Sequence, residues 1–290
     1  MTIATTLYSD PACPWAYSAT PALTVLRWRY RDQLDWRLVT IGLRETIDSL
    51  VAAGYTTGRI ARSSRNYRDR FGMPFAPAPP PRPSATGRAC RAIVATRLAH
   101  PGREFAVLRA IAFARFTTTL LLDQDEGIAT AIAGVEGLDV AAIVAALDSA
   151  EVTAAYEADK HEARSAAGSP SEFQGKAANS DGRVRYTAPS VLFEHNGTRL
   201  EAGGFQPLEA YDVLIANIDP TLTRHAPPES PLALLEHFRE GLCTQEVAAL
   251  LAGNLMVVDR PGAEDALLEL VAAGQVRREP LGGDALWRIS

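Results

Sequence analysis

Cys13 is the residue best placed to do chemistry in this chain, and it stands in the run Ser9-Asp10-Pro11-Ala12-Cys13-Pro14-Trp15-Ala16-Tyr17. An apolar, β-prone run (Ile3 to Leu7) ends just before it, and a helical run from about Pro14 to Arg29 begins just after. The spacing therefore predicts a thiol at a helix N-terminus, where unpaired N–H groups and the helix dipole favour the thiolate. Pro14 fits the first helical turn, where its missing N–H costs nothing. A dithiol redox site would be C-x-x-C, with a second sulfur at position 16. That position is Ala16, so the chain carries a redox-type nucleophile without an adjacent resolving thiol. Cys90 lies in an Ala/Ile/Val/Leu helix and reads as core. Cys243 precedes a helix N-terminus, a place where a lowered pKa is conceivable. Three dispersed cysteines predict neither a disulfide framework nor a metal site, and they fit a reducing compartment.

The elements that must position Cys13 follow from periodicity. Leu34 to Ile41 alternates as a second strand, so the first 44 residues form a βαβ unit. From Glu45 to His161 the pattern is helical, interrupted by six prolines between Pro74 and Pro83 that predict an extended loop. Helices are expected at Thr86–Ala99, Glu104–Leu122, Ala129–Ala133, Val140–Leu147 and Glu151–Ala167. Ser169 to Arg185 is polar and reads as loop. A hairpin follows, from Pro189 to Phe193 and Thr198 to Glu201 across Asn196-Gly197, and then a helix from Pro207 to Asn217. The fold class is α/β: a thioredoxin-like domain (1–44 and 183–222) split by a large helical insertion (45–182). After a Pro-rich linker at 223–231, residues 232–290 read as a small separate winged-helix-like unit. It has three helices, the second capped by Thr244, and a hairpin across Gly282-Gly283.

Charge and composition exclude several functions. The net charge of −5 is mild, and the region from Glu229 to Ser290 holds ten acidic residues against five arginines. The helix that would enter a DNA groove carries Glu264, Asp265 and Glu269, which would repel phosphates. Residues 232–290 are therefore expected to dock a protein partner or a second copy of the chain, not nucleic acid. No apolar run reaches the ~20 residues of a membrane span. No basic start followed by an apolar stretch marks a secretory leader, so a cytoplasmic location is expected. Arg59, Arg62, Arg65, Arg68 and Arg70 lie near helical spacing; a solvated basic face is the preferred reading over attraction of an acidic small thiol.

With these residues in hand, the chain resembles the DsbA family of thioredoxin-fold proteins, in particular its FrnE-like cytoplasmic branch. Asp10-Pro11-Ala12-Cys13-Pro14-Trp15 is similar to that branch's D-P-x-C-P-W-C motif, and Thr187-Ala188-Pro189-Ser190 is similar to the cis-proline loop. The resemblance implies that Cys13 is the exposed nucleophile. It also implies that Pro189 is cis opposite it, that Ala188 offers backbone groups to a thiol substrate, and that Pro14 and Trp15 help to form the substrate wall.

Ala16 departs from the family pattern and points to a monothiol oxidoreductase. In that reading the Cys13 thiolate forms a mixed disulfide that a small thiol, mycothiol or glutathione, resolves, with no permanently bound cofactor. Cys90 or Cys243 could also serve as a distant resolving thiol. The mechanism calls for a Cys13 pKa below the ordinary ~8.5. Two other readings stay open. One is a thiol-dependent transferase or isomerase similar to kappa-class glutathione transferases and 2-hydroxychromene-2-carboxylate isomerases, which generally place serine at this position. The other is a non-catalytic scaffold or regulator.

Overall fold

The computed structural model describes residues 2–290. The chain opens with β1 (Ile3–Ser9), a tight turn, α1 (Pro14–Ser18), α2 (Thr20–Tyr30) and β2 (Leu34–Thr40). The single helix expected from Pro14 is divided at Ala19, because Pro21 has no N–H to offer the Tyr17 carbonyl. The insertion follows as α3 (Ile47–Ala52), α4 (Thr57–Phe71), α5 (Gly87–Ala99), α6 (Glu104–Thr117), α7 (Asp125–Ile132), α8 (Val140–Ala145) and α9 (Ala150–Ala163). The chain between α4 and α5 is extended, as the prolines require. Helix α6 ends five residues earlier than its apolar pattern suggested. Thr117 and Thr118 turn their hydroxyls back onto the Phe113 and Ala114 carbonyls, and Thr118 is already extended.

The polar stretch 169–185, expected to be loop, is partly ordered into α10 (Pro170–Phe173) and the hairpin β3 (Ala177–Asn179) and β4 (Val184–Tyr186). The Ser169 hydroxyl caps α10 at the Glu172 N–H. Tyr186 anchors the hairpin, fully buried against Tyr8. The chain then returns through β5 (Ser190–His195), β6 (Thr198–Ala202) and α11 (Leu208–Ile218).

These strands complete a four-stranded sheet in the order β2-β1-β5-β6. Strands β1 and β2 are parallel, with Leu7 beside Leu38. Strand β5 runs antiparallel to β1, with Leu7 beside Val191, and β6 runs antiparallel to β5, with Val191 beside Ala202. Alternate residues of the central strands reach one large apolar core with α2, α5, α6 and α9, in which Cys90 is buried.

The final segment comprises α12 (Pro231–His237), β7 (Leu242–Cys243), α13 (Thr244–Leu251), α14 (Arg260–Ala272), β8 (Val276–Leu281) and β9 (Asp284–Ile289), with sheet order β7-β9-β8. It is less separate than its linker implied, because its core includes Val25 and is flanked by Trp28 of α2. The cap of α13 is Cys243 and not Thr244. Glu246 accepts the Cys243 N–H at 2.9 Å, while the Thr244 hydroxyl accepts from Trp287 and donates to Asp284. No helix among the described residues is long and apolar enough to cross a membrane.

Candidate active site at Cys13 and the Ala188–Pro189 loop

The turn that presents Cys13 is built by Asp10. Its buried carboxylate accepts the Ala12 N–H at 2.7 Å and the Leu43 N–H at 2.6 Å, and its own carbonyl accepts the Cys13 N–H at 3.0 Å. The turn after β1 is thereby locked to the residues that follow β2. Cys13 is the N-cap of α1, with Pro14 at the first helical position.

The Ala188–Pro189 peptide is cis, and the Ala188 carbonyl accepts the Cys13 thiol at 3.0 Å. Thr187 and Ser190 hold this loop in place. The Thr187 hydroxyl donates to the Lys176 carbonyl, and the Ser190 hydroxyl donates to the Thr187 carbonyl and accepts from Gly204 N–H. Ala188 and Pro189 are buried and Pro14 is half-buried.

Trp15, 37 % exposed, stands over the site. Its ring packs edge-on against Tyr67 and Phe71 of α4, and Phe205 lies 5.6 Å away between ring centroids. The insertion thus supplies an aromatic wall. Tyr67, Phe71 and Phe205 carried no sequence signal pointing to Cys13, because the first two lie over fifty residues away in a helix dominated by arginine. Ala16 is buried and, with Cys13, Tyr17 and Phe105, lines a cavity of about 80 Å³ behind the site. Tyr17 is core: its hydroxyl donates to the Pro74 carbonyl and its ring stacks on Phe116.

The expected thiolate does not emerge. Cys13 is only 8 % exposed, and burial pushes its thiol up to about 11, with the Asp10 charge adding to the rise. The backbone N–H groups of Ala16 and Trp15 pull the other way without overcoming burial. Cys243 is likewise raised, by burial first and then by Glu246, so the lowered pKa conceivable at that helix start is also reversed. The three cysteines are free and lie in three different apolar clusters. No group of three His, Cys, Asp or Glu side chains among the described residues is arranged to hold a metal ion.

A thioredoxin-type sheet, an interposed helical domain and a thiol facing a cis-proline loop define a DsbA-like thiol protein. The chain belongs to the family of DSBA-like thioredoxin domains, whose profile it matches over residues 5–181. Solved structures share the fold, three of them at TM-scores above 0.5. A candidate protein disulfide isomerase from Nitrosomonas europaea superposes with a TM-score of 0.57 at 18 % identity, covering 75 % of this chain and 97 % of that one. A DsbA-type oxidoreductase from Streptomyces coelicolor gives 0.54 at 17 % identity, covering 78 % and 93 %. The cytosolic disulfide reductase DsbM from Pseudomonas aeruginosa gives 0.52 at 15 % identity, covering 75 % and 100 %. No curated protein matches the chain.

Proposed function

We propose that this protein is a cytoplasmic, monothiol thiol–disulfide oxidoreductase that works in the reducing direction. The observation that carries this reading is the 3.0 Å contact between the single site sulfur, Cys13, and the Ala188 carbonyl of the cis-proline loop. An extended disulfide substrate would displace that contact and pair with the loop backbone.

In the first step the Cys13 thiol gives its proton to solvent, and the thiolate attacks one sulfur of the substrate disulfide. A Cys13–substrate disulfide forms and the other half leaves as a thiolate. In the second step the thiolate of a small thiol, glutathione or mycothiol, attacks the substrate sulfur of that mixed disulfide. Cys13 leaves reduced, and the small thiol keeps the substrate as a new disulfide. The raised Cys13 pKa sets the direction. A thiol of high pKa is a strong nucleophile once ionised but a poor leaving group, so reduction of the substrate is favoured, and the release of Cys13 is driven by the excess of the small thiol.

One observation favours a second reading. A Cys13 kept protonated could donate its S–H to the thiolate of a bound small thiol, as a transferase or isomerase of the kappa or 2-hydroxychromene-2-carboxylate kind would need. Residues 232–290 serve, in either reading, as a winged-helix-like unit that docks a protein partner or a second copy. Its exposed Leu255, Met256 and Val257 and the acidic α14 support docking over DNA binding.

Intact-mass analysis after incubation with oxidised glutathione and, separately, oxidised mycothiol tests the proposal. An adduct mapped to Cys13 and reversed by the reduced thiol is expected. A folded protein with no adduct at Cys13, yet able to bind the reduced thiol, would replace it with the transferase reading.

A further inference from the structure

Arg59, Arg62, Arg65, Arg68 and Arg70 form a solvated face, as their spacing predicts, and all five are exposed on α4. In a chain of net charge −5, this one helix carries five arginines against a single aspartate, Asp69. Asp69 pairs with Arg68 at 2.8 Å, and Arg59 donates to the Ala53 and Gly54 carbonyls at 3.0 and 3.2 Å. Arg62, Arg65 and Arg70 make no ion pair among the described residues. Like charges one turn apart weaken a helix, and no residue of α4 is buried to compensate.

Aromatic contacts at the thiol site hold α4 in place. Tyr67 and Phe71 pack on Trp15 with ring centroids 5.2 and 5.6 Å away, and Phe71 meets Phe205 at 4.8 Å. The Arg70 guanidinium lies 5.8 Å from the centre of the Trp15 ring and 5.0 Å from that of Phe71. Trp15 is two residues from Cys13, whose sulfur faces the cis-proline loop. The cationic face therefore begins at the wall of the site. Positions 59, 62, 66 and 70 share one side of a helix, so Arg59, Arg62 and Arg70 form a row that is about 16 Å long at the helical rise. Arg65 and Arg68 lie off that row.

A guanidinium fork matches a carboxylate, and a row of exposed charges acts on partner choice and encounter rate more than on affinity. The length of the row separates its candidate occupants. An extended tripeptide spans at most about 10 Å, so a glutathione-sized molecule reaches one end only, whereas five or more residues of extended chain follow the whole row. A nucleic-acid strand is long enough but brings no disulfide to Cys13. We propose that Arg59, Arg62 and Arg70 form a docking row for an acidic polypeptide segment beside the substrate cysteine, so that disulfides of acidic proteins are the substrate class of the Cys13 site. The proposal rests on the thiol–disulfide reading and adds a substrate class to it. The three arginines position the substrate and take no part in bond making.

The test uses the full-length protein and two peptides of about eleven residues, long enough to follow the row. Each has a central cysteine held as a disulfide with cysteamine, flanked by glutamates in one peptide and glutamines in the other. The rate at which Cys13 consumes each disulfide is normalised to the rate of a free thiol. The wild type should prefer the glutamate peptide at least about tenfold at about 50 mM salt, and the preference should shrink to about twofold at about 500 mM. In Arg62→Gln/Arg70→Gln it should already be about twofold at low salt. In Arg65→Gln/Arg68→Gln, which removes equal charge off the row, it should stay above about fivefold. Arg59 is left in place because it also holds the Ala53 and Gly54 carbonyls. Anisotropy of a labelled glutamate peptide with serine for cysteine, measured on Cys13→Ser, gives a readout independent of exchange. Binding is expected, weakened at least about fivefold by the two row substitutions.

Equal consumption of the two peptides by the wild type overturns the docking row and leaves the exchange reading standing. So does an equal loss of preference in both double variants, or a wild-type preference that survives at high salt. If neither peptide is consumed, the exchange reading fails and anisotropy alone decides the row. Binding weakened only by the row substitutions keeps it, and absent binding or equal weakening removes it. A single-stranded oligonucleotide that displaces the labelled peptide at lower concentration than the unlabelled glutamate peptide makes the row a nucleic-acid surface and overturns the proposal.

Discussion

At the scale of the residue, two effects compete for the Cys13 proton. The start of a helix offers N–H groups to the thiolate, but α1 is only five residues long and the sulfur is buried in an apolar cluster with Tyr8, Val39, Ile41 and Leu192. Desolvation wins, and the thiol is protonated at neutral pH. The Asp10 carboxylate reinforces this while holding the turn. Asp10→Asn should cost about 1–3 kcal/mol in chemical denaturation, because the amide can accept only one of the two backbone N–H groups and turns an NH2 toward the other. The same substitution should lower the Cys13 inflection in alkylation against pH, since it removes a negative charge beside the sulfur. Ala16 is the other informative position. It lines the space behind Cys13, so Ala16→Cys should produce a protein that loses 2 Da on mild oxidation and becomes unreactive at Cys13 until reduced. Free thiols persisting in that variant under oxidant would mean that the two side chains do not meet. The Cys13 and Pro189 pair was legible in the sequence because both lie in short motifs next to strands. The direction of the pKa was not, because the residues that bury Cys13, among them Val39, Ile41, Ala163, Tyr186 and Leu192, come from distant parts of the chain.

At the scale of the element, the site depends on turns and caps more than on long helices. Pro21 divides α1 from α2, Asp10 ties the end of β1 to Leu43, and Ser190 ties β5 to Gly204. The hairpin turn between β8 and β9 presses on the insertion: Gly283 N–H donates to the Phe75 carbonyl at 3.0 Å. Gly282 has φ +60°, and a Cβ there would meet the Phe75 carbonyl oxygen at 2.9 Å. Gly282→Ala should therefore destabilise the protein by about 1–3 kcal/mol in urea titration, whereas a neutral result would mean this turn is not seated. The strands β1, β2, β5 and β6 and most helices were readable from period and turn signals. The short strands β3, β4 and β7 were not, since two or three residues carry no period and are ordered by their partners and by Tyr186.

At the scale of the whole molecule, one buried carboxylate joins three parts of the chain. Glu246 of α13 accepts from the two terminal guanidinium nitrogens of Arg109 in α6, at 2.5 and 2.7 Å, and from the Thr24 hydroxyl of α2 at 3.1 Å. Arg109 also donates to the Gly241 carbonyl. Nothing in the local pattern around position 109 or 246 announces a pair 137 residues apart. Burial alone would raise the Glu246 pKa, but the Arg109 charge and hydrogen bonds outweigh it and hold the carboxyl below its ordinary value. Its stabilising contribution is then complete above the ordinary value of 4.5 and is lost as pH falls through the lower folded value. Arg109→Met should remove about 3–5 kcal/mol, because it leaves a buried carboxylate unpaired. With this link and the apolar contact through Val25 intact, calorimetry at pH 7 should give one cooperative transition. Two resolved transitions would mean that residues 232–290 melt independently.

The account stands most directly on Cys13 itself: a thiol protonated at rest that nevertheless exchanges with a disulfide. The decisive measurement follows the rate of mixed-disulfide formation with glutathione disulfide by time-resolved intact mass from pH 6 to pH 11, with the adduct mapped by peptide digestion. The account predicts a reversible adduct on Cys13 whose rate climbs about tenfold per pH unit through pH 9, with an inflection near 11. A rate that levels off at or below pH 8.5, or a folded protein that never forms the adduct, would contradict it.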